Sequence, residues 1–146
     1  MSKTLPLEIT IEVRDTCLCL HAQRAARALA RRFDEALRPI GLTSGQFSLL
    51  TALNRPQPPA IGPVAQLLAM DRTTLTAALK PLERDGLVAI GPDPKDRRNR
   101  LLTLTKKGHG VIVAAVPIWR DTHAAVEAAL PTLDPDDLRA ALNTLA

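Results

Sequence analysis

Between Val13 and Ile40 the apolar residues Leu18, Ala22, Ala25, Leu29, Phe33, Ala36 and Ile40 recur at spacings of three and four. That period puts them on one side of an α-helix, with Arg24, Arg27, Arg31, Glu35 and Arg38 on the other. Such a helix is long for a chain of 146 residues. It needs a partner along its whole length, so the fold must cover this stripe somewhere. Gly41 ends it, as glycine commonly does. A second long helix is expected from the cap Thr105 to about Leu130, kinked at Pro117. A last helix starts at Asp134 with Pro135 at its first position and Leu138, Ala141, Leu142 and Leu145 on one face.

The stretch between the long helices has a different grain. Thr43 followed by Gln46 fits a capping box, opening a helix whose apolar positions are Phe47, Leu49, Leu50 and Leu53. Arg55-Pro56-Gln57-Pro58-Pro59 breaks it. Two short helices follow, Pro63 to Ala69 and Arg72 to Asp85, joined by a turn at Met70-Asp71 and capped by Asp71 or Thr73. Leu75, Ala78, Leu79 and Leu82 form the buried stripe of the second, and Pro81 should bend or loosen its final turn. After Gly86, Leu87–Ile90 and Leu101–Leu104 read as strands of a hairpin with a long polar tip, Gly91 to Arg100. The fold class is mainly α with a small β-hairpin. We read residues 1–146 as one domain, with a compact lobe at 43–104 flanked by the helices of 13–40 and 105–146.

Charge narrows the function. The net charge is +4 and the pI about 9.6. Asp71 to Lys107 holds nine Lys/Arg against five Asp/Glu, while the remainder holds ten of each. The whole excess therefore lies in one quarter of the chain, from the second short helix through the hairpin to the start of the next helix, which suits a polyanionic partner. Other classes fall away. Glu8, Glu12, Arg14 and Asp15 interrupt any signal-peptide core. The longest apolar run, Val111 to Trp119, is too short to span a membrane, and two cysteines are too few for a disulfide framework. A cytoplasmic protein with no membrane partner is expected. There is no Gly-x-Ser-x-Gly elbow, P-loop or Gly-x-Gly-x-x-Gly, and His21, His109 and His123 stand apart. We expect no enzyme, no catalytic residues and no cofactor. Cys17 and His21 share a helix face at i, i+4, but two ligands do not make a metal site.

Helix, tight turn, helix and basic hairpin, in this order, make a winged helix-turn-helix. A helix fits the major groove of DNA and a β-ribbon reaches a neighbouring groove or the backbone. Arg72, Thr73, Thr74, Thr76 and Lys80 lie off the apolar stripe of the second helix, where they suit base edges, thymine methyls and phosphates. Lys95, Arg97, Arg98 and Arg100 occupy the hairpin tip, and arginine suits a narrow minor groove. The alternative is a helical protein-interaction module on the same fold; the basic helix and basic hairpin argue against it.

The residues then show a family resemblance. Asp93-Pro94-Lys95-Asp96-Arg97-Arg98-Asn99-Arg100-Leu101-Leu102-Thr103-Leu104-Thr105-Lys106-Lys107-Gly108 resembles the wing signature of MarR-family (multiple antibiotic resistance) regulators. Asp71-Arg72-Thr73-Thr74-Leu75-Thr76 and Leu82-Glu83-Arg84-Asp85-Gly86-Leu87-Val88 resemble the start and end of their recognition helix. Leu42-Thr43-Ser44-Gly45-Gln46-Phe47-Ser48-Leu49-Leu50 is similar to their second helix. The resemblance implies a homodimer built through the N- and C-terminal helices, which would cover the two long helices. It also implies binding to a pseudo-palindromic duplex, usually as a repressor. Within the wing it implies that Asp96 orients Arg98 for the minor groove, with Arg97 and Arg100 as backbone contacts.

Three signals compete. The resemblance implies a small aromatic or phenolic ligand between the dimerisation helices and the DNA-binding lobe, with His21, Arg24, Phe47 and Trp119 as candidate lining residues. A thiol-based redox repressor is the alternative. Cys19 falls where the hydroperoxide-sensing members carry their reactive cysteine, and His21 and Arg24 could lower its pKa. Those members hold the thiolate with tyrosines; this chain has none, and Phe33 stands at one such place. On one helix Cys17 and Cys19 would point about 200° apart and would not pair within a chain. Metal control through Cys17 and His21 is the third.

Overall fold

The computed structural model describes residues 4–146. These form seven α-helices and one two-stranded hairpin: α1 (Leu7–Thr16), α2 (Leu18–Leu37), α3 (Ser44–Ala52), α4 (Ile61–Leu67), α5 (Arg72–Arg84), β1 (Val88–Asp93), β2 (Asp96–Leu104), α6 (Lys106–Ala128) and α7 (Pro135–Leu145).

The long N-terminal helix expected from Val13 to Ile40 is two helices. It starts at Leu7 and breaks at Cys17, whose backbone is extended (φ −69°, ψ 109°). The Cys17 sulfur accepts from the Leu20 N–H at 3.4 Å and so caps α2, while Thr16 Oγ1 donates back to the Glu12 carbonyl at 2.7 Å. Short polar side chains compete with the helix ladder in this way, and an apolar period running through the site does not register it. At the far end Pro39 shortens the last turn into a 3-10 segment, Arg38–Ile40, and Gly41 leaves it at φ 74°.

A leucine core lies under the middle of the chain. Leu37, Leu49, Leu50, Leu75, Leu79, Leu82 and Leu102 are fully or almost fully buried and come from α2, α3, α5 and β2. Ile112 and Ala115 bring α6 onto them. Thr43 and Gln46 form the reciprocal capping box of α3, both bonds 3.1 Å, and Asp34 of α2 accepts from the Ser44 N–H at 2.6 Å. The cap of α3 is thus held by its neighbour α2. Between α4 and α5 the chain turns through Ala69, a non-glycine residue at φ 52°, and Met70 N–H donates to the Ala65 carbonyl.

β1 and β2 pair antiparallel from Val88↔Leu104 to Pro92↔Arg100, then jump to Asp93↔Asp96. The long irregular tip expected at 91–100 is therefore mostly strand, with only Pro94 and Lys95 at the turn. Pro92 has no N–H for the ladder, and the register breaks beside it. Arg97, Arg98 and Asn99 have no opposite residue on β1 and form a bulge, the usual device for re-aiming side chains. Leu102 N–H donates to Pro59 O at 2.9 Å, and Ala60 bridges to Leu101, so the segment before α4 edges the hairpin.

The hairpin runs straight into α6, capped by Thr105. Thr105 Oγ1 accepts from Gly108 N–H and donates to the carbonyls of Gly86 and Leu87 at 2.7 and 3.0 Å, and Lys107 Nζ donates to Asp85 O at 2.8 Å. A Cβ on Gly108 would overlap the Leu87 carbonyl oxygen and stand 2.8 Å from Leu104 Cδ1. α6 continues through Pro117, and α5 continues past Pro81 to Arg84. Asp134 caps α7 through Asp136 N–H, and Arg139 ties it to Glu127 of α6.

Gly108→Ala should lower stability by about 1–3 kcal/mol, the usual cost of overpacking a site that cannot relax. Gly110, two residues along the same helix, has nothing within 4 Å of an added Cβ. Gly110→Ala should stabilise by up to about 1 kcal/mol from helix propensity alone. Urea unfolding of both variants tests the pair; equal effects would disprove the close approach of α6 to Leu87.

Candidate nucleic-acid interface

Asp71 opens α5. Its carboxylate accepts from Thr74 N–H at 2.7 Å, which settles the cap between the two residues proposed. Leu75, Leu79 and Leu82 pin one side of the helix to the core, so the rest of its surface faces out. Arg72, Thr73, Thr74, Thr76 and Lys80 are all exposed. Two of them are already engaged within the protein. Thr76 Oγ1 donates to the Arg72 carbonyl at 2.8 Å, and the Arg72 guanidinium lies over Gly62, where an added Cβ would be 3.0 Å from Nη2.

β1 packs against α5, so the hairpin stands beside that helix. Lys95, Asp96, Arg97, Arg98 and Arg100 are exposed too. Asp96 holds Arg98, but by its backbone: Oδ1 accepts from Arg98 N–H at 3.0 Å and Oδ2 from Asn99 Nδ2 at 3.4 Å. No ion pair joins the Asp96 carboxylate to the Arg98 guanidinium among the described residues. Asp93 holds the turn in the same manner, through Lys95 N–H at 2.9 Å. The carboxylates of the wing thus shape its backbone and leave its arginines free.

The four candidate ligand residues do not come together. Phe47 and Trp119 stack at 6.1 Å, and Trp119 stacks on His123 at 4.9 Å, giving an aromatic ladder between α3 and α6. Beside it opens a cleft of about 670 Å³ floored by Ala52, Leu67, Leu68 and Val116, with Ser48, Thr51 and Arg120 at its polar edge. His21 and Arg24 lie elsewhere, in a shallow groove on the outward face of α2. Phe33 and Leu37 look the other way, toward Phe47, so the helix itself separates the two pairs. Arg120, Ser48 and Thr51 escaped the sequence reading, although each lies within four residues of Trp119 or Phe47.

Cys19 is exposed and its sulfur accepts from Gln23 Nε2 at 3.1 Å. His21 Nδ1 donates to the Cys17 carbonyl at 2.7 Å. Cys17 is outside the helix, so the 200° separation expected for two residues on one helix does not apply. No three His, Cys, Asp or Glu side chains gather as a metal site among the described residues, and no described helix is long and apolar enough to cross a membrane.

Known proteins share this architecture. A model of the MarR family matches residues 42–99. The solved structure of the M. tuberculosis transcriptional regulator MosR, in complex with DNA, superposes with a TM-score of 0.81 at 37% identity, covering 89% of this chain and 93% of that one. The chain belongs to the MarR family. Its fold is the family's winged helix-turn-helix, with α4 and α5 as the helix pair and β1–β2 as the wing. Among curated relatives, the transcriptional activatory protein BadR of Rhodopseudomonas palustris is 40% identical over 91 residues, 60% of this chain and 52% of that protein. The chain spans about half the length of the first curated relatives it matches. The transcriptional repressor CouR of Rhodococcus jostii RHA1, bound to a 23-mer DNA duplex, superposes with a TM-score of 0.73 at 28% identity, over 98% of this chain and 96% of that one.

The Asp71 cap is sensitive to pH. Bonds from Thr74, backbone first and hydroxyl second, hold its carboxyl below the ordinary carboxylate range. A depressed folded pKa means that the contribution is present above the unfolded value, about 4, and is lost as pH falls through the folded one. The protection factor of the Thr74 amide should therefore drop on acidification below about pH 4. In Asp71→Asn, which keeps the acceptor, that drop should be absent. A drop of equal size in both proteins would mean that another group governs the start of α5.

Proposed function

We propose that this MarR-family chain is a sequence-specific DNA-binding regulator of transcription, acting in the cytoplasm as a homodimeric repressor. One observation carries the reading: ten exposed polar side chains on one helix and the ribbon packed beside it, six of them cationic. In this reading α5 enters the major groove. Thr73, Thr74 and Thr76 meet base edges and thymine methyls there, and Lys80 meets a phosphate. Arg72 braces α4 and α5 and reaches DNA only by swinging off Gly62. The bulged Arg97 and Arg98, with Lys95 and Arg100, reach the minor groove and backbone, on a turn shaped by Asp96. Residues 43–104 form the DNA-binding lobe. The helices of 13–40 and 105–146 join two copies, so that two lobes meet a pseudo-palindromic site.

The signal in this reading is a small aromatic or phenolic acid bound in the cleft beside Phe47 and Trp119. A flat apolar ligand stacks on the indole, and its carboxylate or phenolate faces Arg120. Binding there releases the DNA.

Arg98→Ala should weaken operator binding and reduce the log–log salt slope by roughly one, as for one lost phosphate contact. Mobility shifts at several salt concentrations measure it, and an unchanged slope would remove Arg98 from the interface. Thr74→Ala should change the preferred sequence more than the affinity for random duplex, costing about 1–3 kcal/mol at one base position. Equal losses on every sequence would make Thr74 a phosphate contact. For the cleft, a panel of substituted benzoates and hydroxycinnamates should raise the Tm of the native protein and not of Trp119→Ala. If peroxide instead of any acid releases the DNA, and Cys19→Ser abolishes that release, the redox alternative replaces the ligand.

A further inference from the structure

α1 and the outward face of α2 carry complementary stripes that nothing among the described residues covers. Every residue of α1 is exposed. Glu8, Glu12 and Asp15, at steps of four and three, share one side of it. Leu7 and Ile11 flank that acidic stripe on one edge and Ile9 and Val13 on the other, with Leu7 68% exposed and Val13 49%. On α2, Arg24, Arg27 and Arg31 follow at steps of three and four. With His21, Ala25 and Ala28 they line a groove of about 510 Å³ on the side away from the core. Arg27 donates to Gln23 Oε1 at 3.1 Å, and none of the three arginines meets a carboxylate among the described residues. Among the described residues Asp15 pairs with its neighbour Arg14, at 2.7 Å on the exposed surface.

The two spacings are mirror images. Laid antiparallel, the steps from 8 to 12 to 15 coincide with those from 31 to 27 to 24, each over about 10 Å of helix. α1 cannot reach its own stripe, because Cys17 is the single residue between the helices. A second copy can. We propose that α1 of one chain docks antiparallel along α2 of another, pairing Glu8 with Arg31, Glu12 with Arg27 and Asp15 with Arg24. The large apolar residues flanking its acidic stripe then close over Ala25 and Ala28, which are small enough for close approach. The exchange is reciprocal, as two-fold symmetry requires. A phosphodiester backbone would satisfy the arginines but would leave the apolar edges of α1 in water, so the second copy accounts for more of the surface. The proposal rests on the homodimer reading above and names the contact.

The test is a charge exchange on the full chain, read by sedimentation equilibrium. One variant carries Arg24→Glu, Arg27→Glu and Arg31→Glu; the other carries Glu8→Lys, Glu12→Lys and Asp15→Lys. Alone, each should dimerise about tenfold or more weakly than the native chain, since like charges then face each other. Mixed, they should form a heterodimer of near-native affinity, because both docking sites again pair opposite charges. A milder set, Arg24→Gln, Arg27→Gln and Arg31→Gln, guards against misfolding and should remove most of the salt dependence of dimerisation. Native-like dimers from either reversed variant, or no rescue on mixing, would overturn the docking. So would an arginine variant that keeps its dimer and loses only DNA affinity, which would assign the stripe to phosphate. A native chain that sediments as a monomer would overturn the homodimer reading and this contact together; a native dimer indifferent to the charge exchange would overturn this contact alone.

Discussion

The start of α6 presses against the carbonyl of Leu87 so closely that residue 108 can be nothing larger than glycine. Everything that faces outward from the lobe depends on that approach. Leu87 closes α5 by donating its N–H to Leu82 O, and it opens the hairpin, since Val88 begins β1. Thr105 stitches the same place from the other side, with its amide and hydroxyl both on the Leu87 carbonyl. Lys107 adds Asp85 O. A single backbone group therefore sets the angle between α5, the β1–β2 hairpin and α6 behind them. The polar groups involved are mutually satisfied, so the junction does not rely on water.

This junction also explains how one helix can serve two places. α6 carries Thr105 to Gly108 at one end and Val116, Trp119 and Arg120 along the cleft, about 20 Å further on. Ile112 and Ala115, between them, are buried in the leucine core. Packed cores shift between discrete arrangements more readily than they deform smoothly. On the reading proposed here, a ligand stacked on Trp119 acts on a helix whose other end is bonded to the last turn of α5. Pro117 sits inside the cleft stretch. It removes one ladder bond there, to Val113 O, so the helix is weakest where a ligand would push.

What the residue pattern disclosed and what it hid divide along the range of the interactions. Caps act across three residues, and Thr43 with Gln46, Thr105 and Asp134 all behave as their types predict. The apolar stripe of α5 and the order of helices and hairpin were equally readable, because both are periodic. The break at Cys17 was not, since a thiol cap leaves the three-and-four spacing intact. The hairpin's two strands were readable, but Gly, Pro and Asp make its tip from Gly91 to Arg100 read as turn, whereas the ladder holds as far as Pro92 and then bulges. His21 and Arg24 stand apart from Phe47 and Trp119 for a tertiary reason: within one chain the two pairs lie on opposite sides of α2. Arg72 folding back on Gly62 is a contact between two helices that no local pattern contains.

Counting charge along the chain also misleads where the unit of function is a face. The ten cations and ten anions outside residues 71–107 cancel in number, yet α1 gathers acids on one side and α2 gathers arginines on another. From Leu7 to Leu29 no residue is buried, although the apolar side chains there match those of the core in kind. The stripe expected from Leu18 to Ile40 finds cover only in its second half, where Phe33, Ala36 and Ile40 are half-buried and the adjacent Leu37 is fully so. Leu18 remains 71% exposed and Leu145, at the other end of the chain, 70%. One chain of this size completes the central lobe and leaves apolar side chains near its two ends in water. In the dimer proposed above, the hydrophobic term that stabilises the lobe is the same term that drives two copies together, and the charge stripes set the register in which they meet.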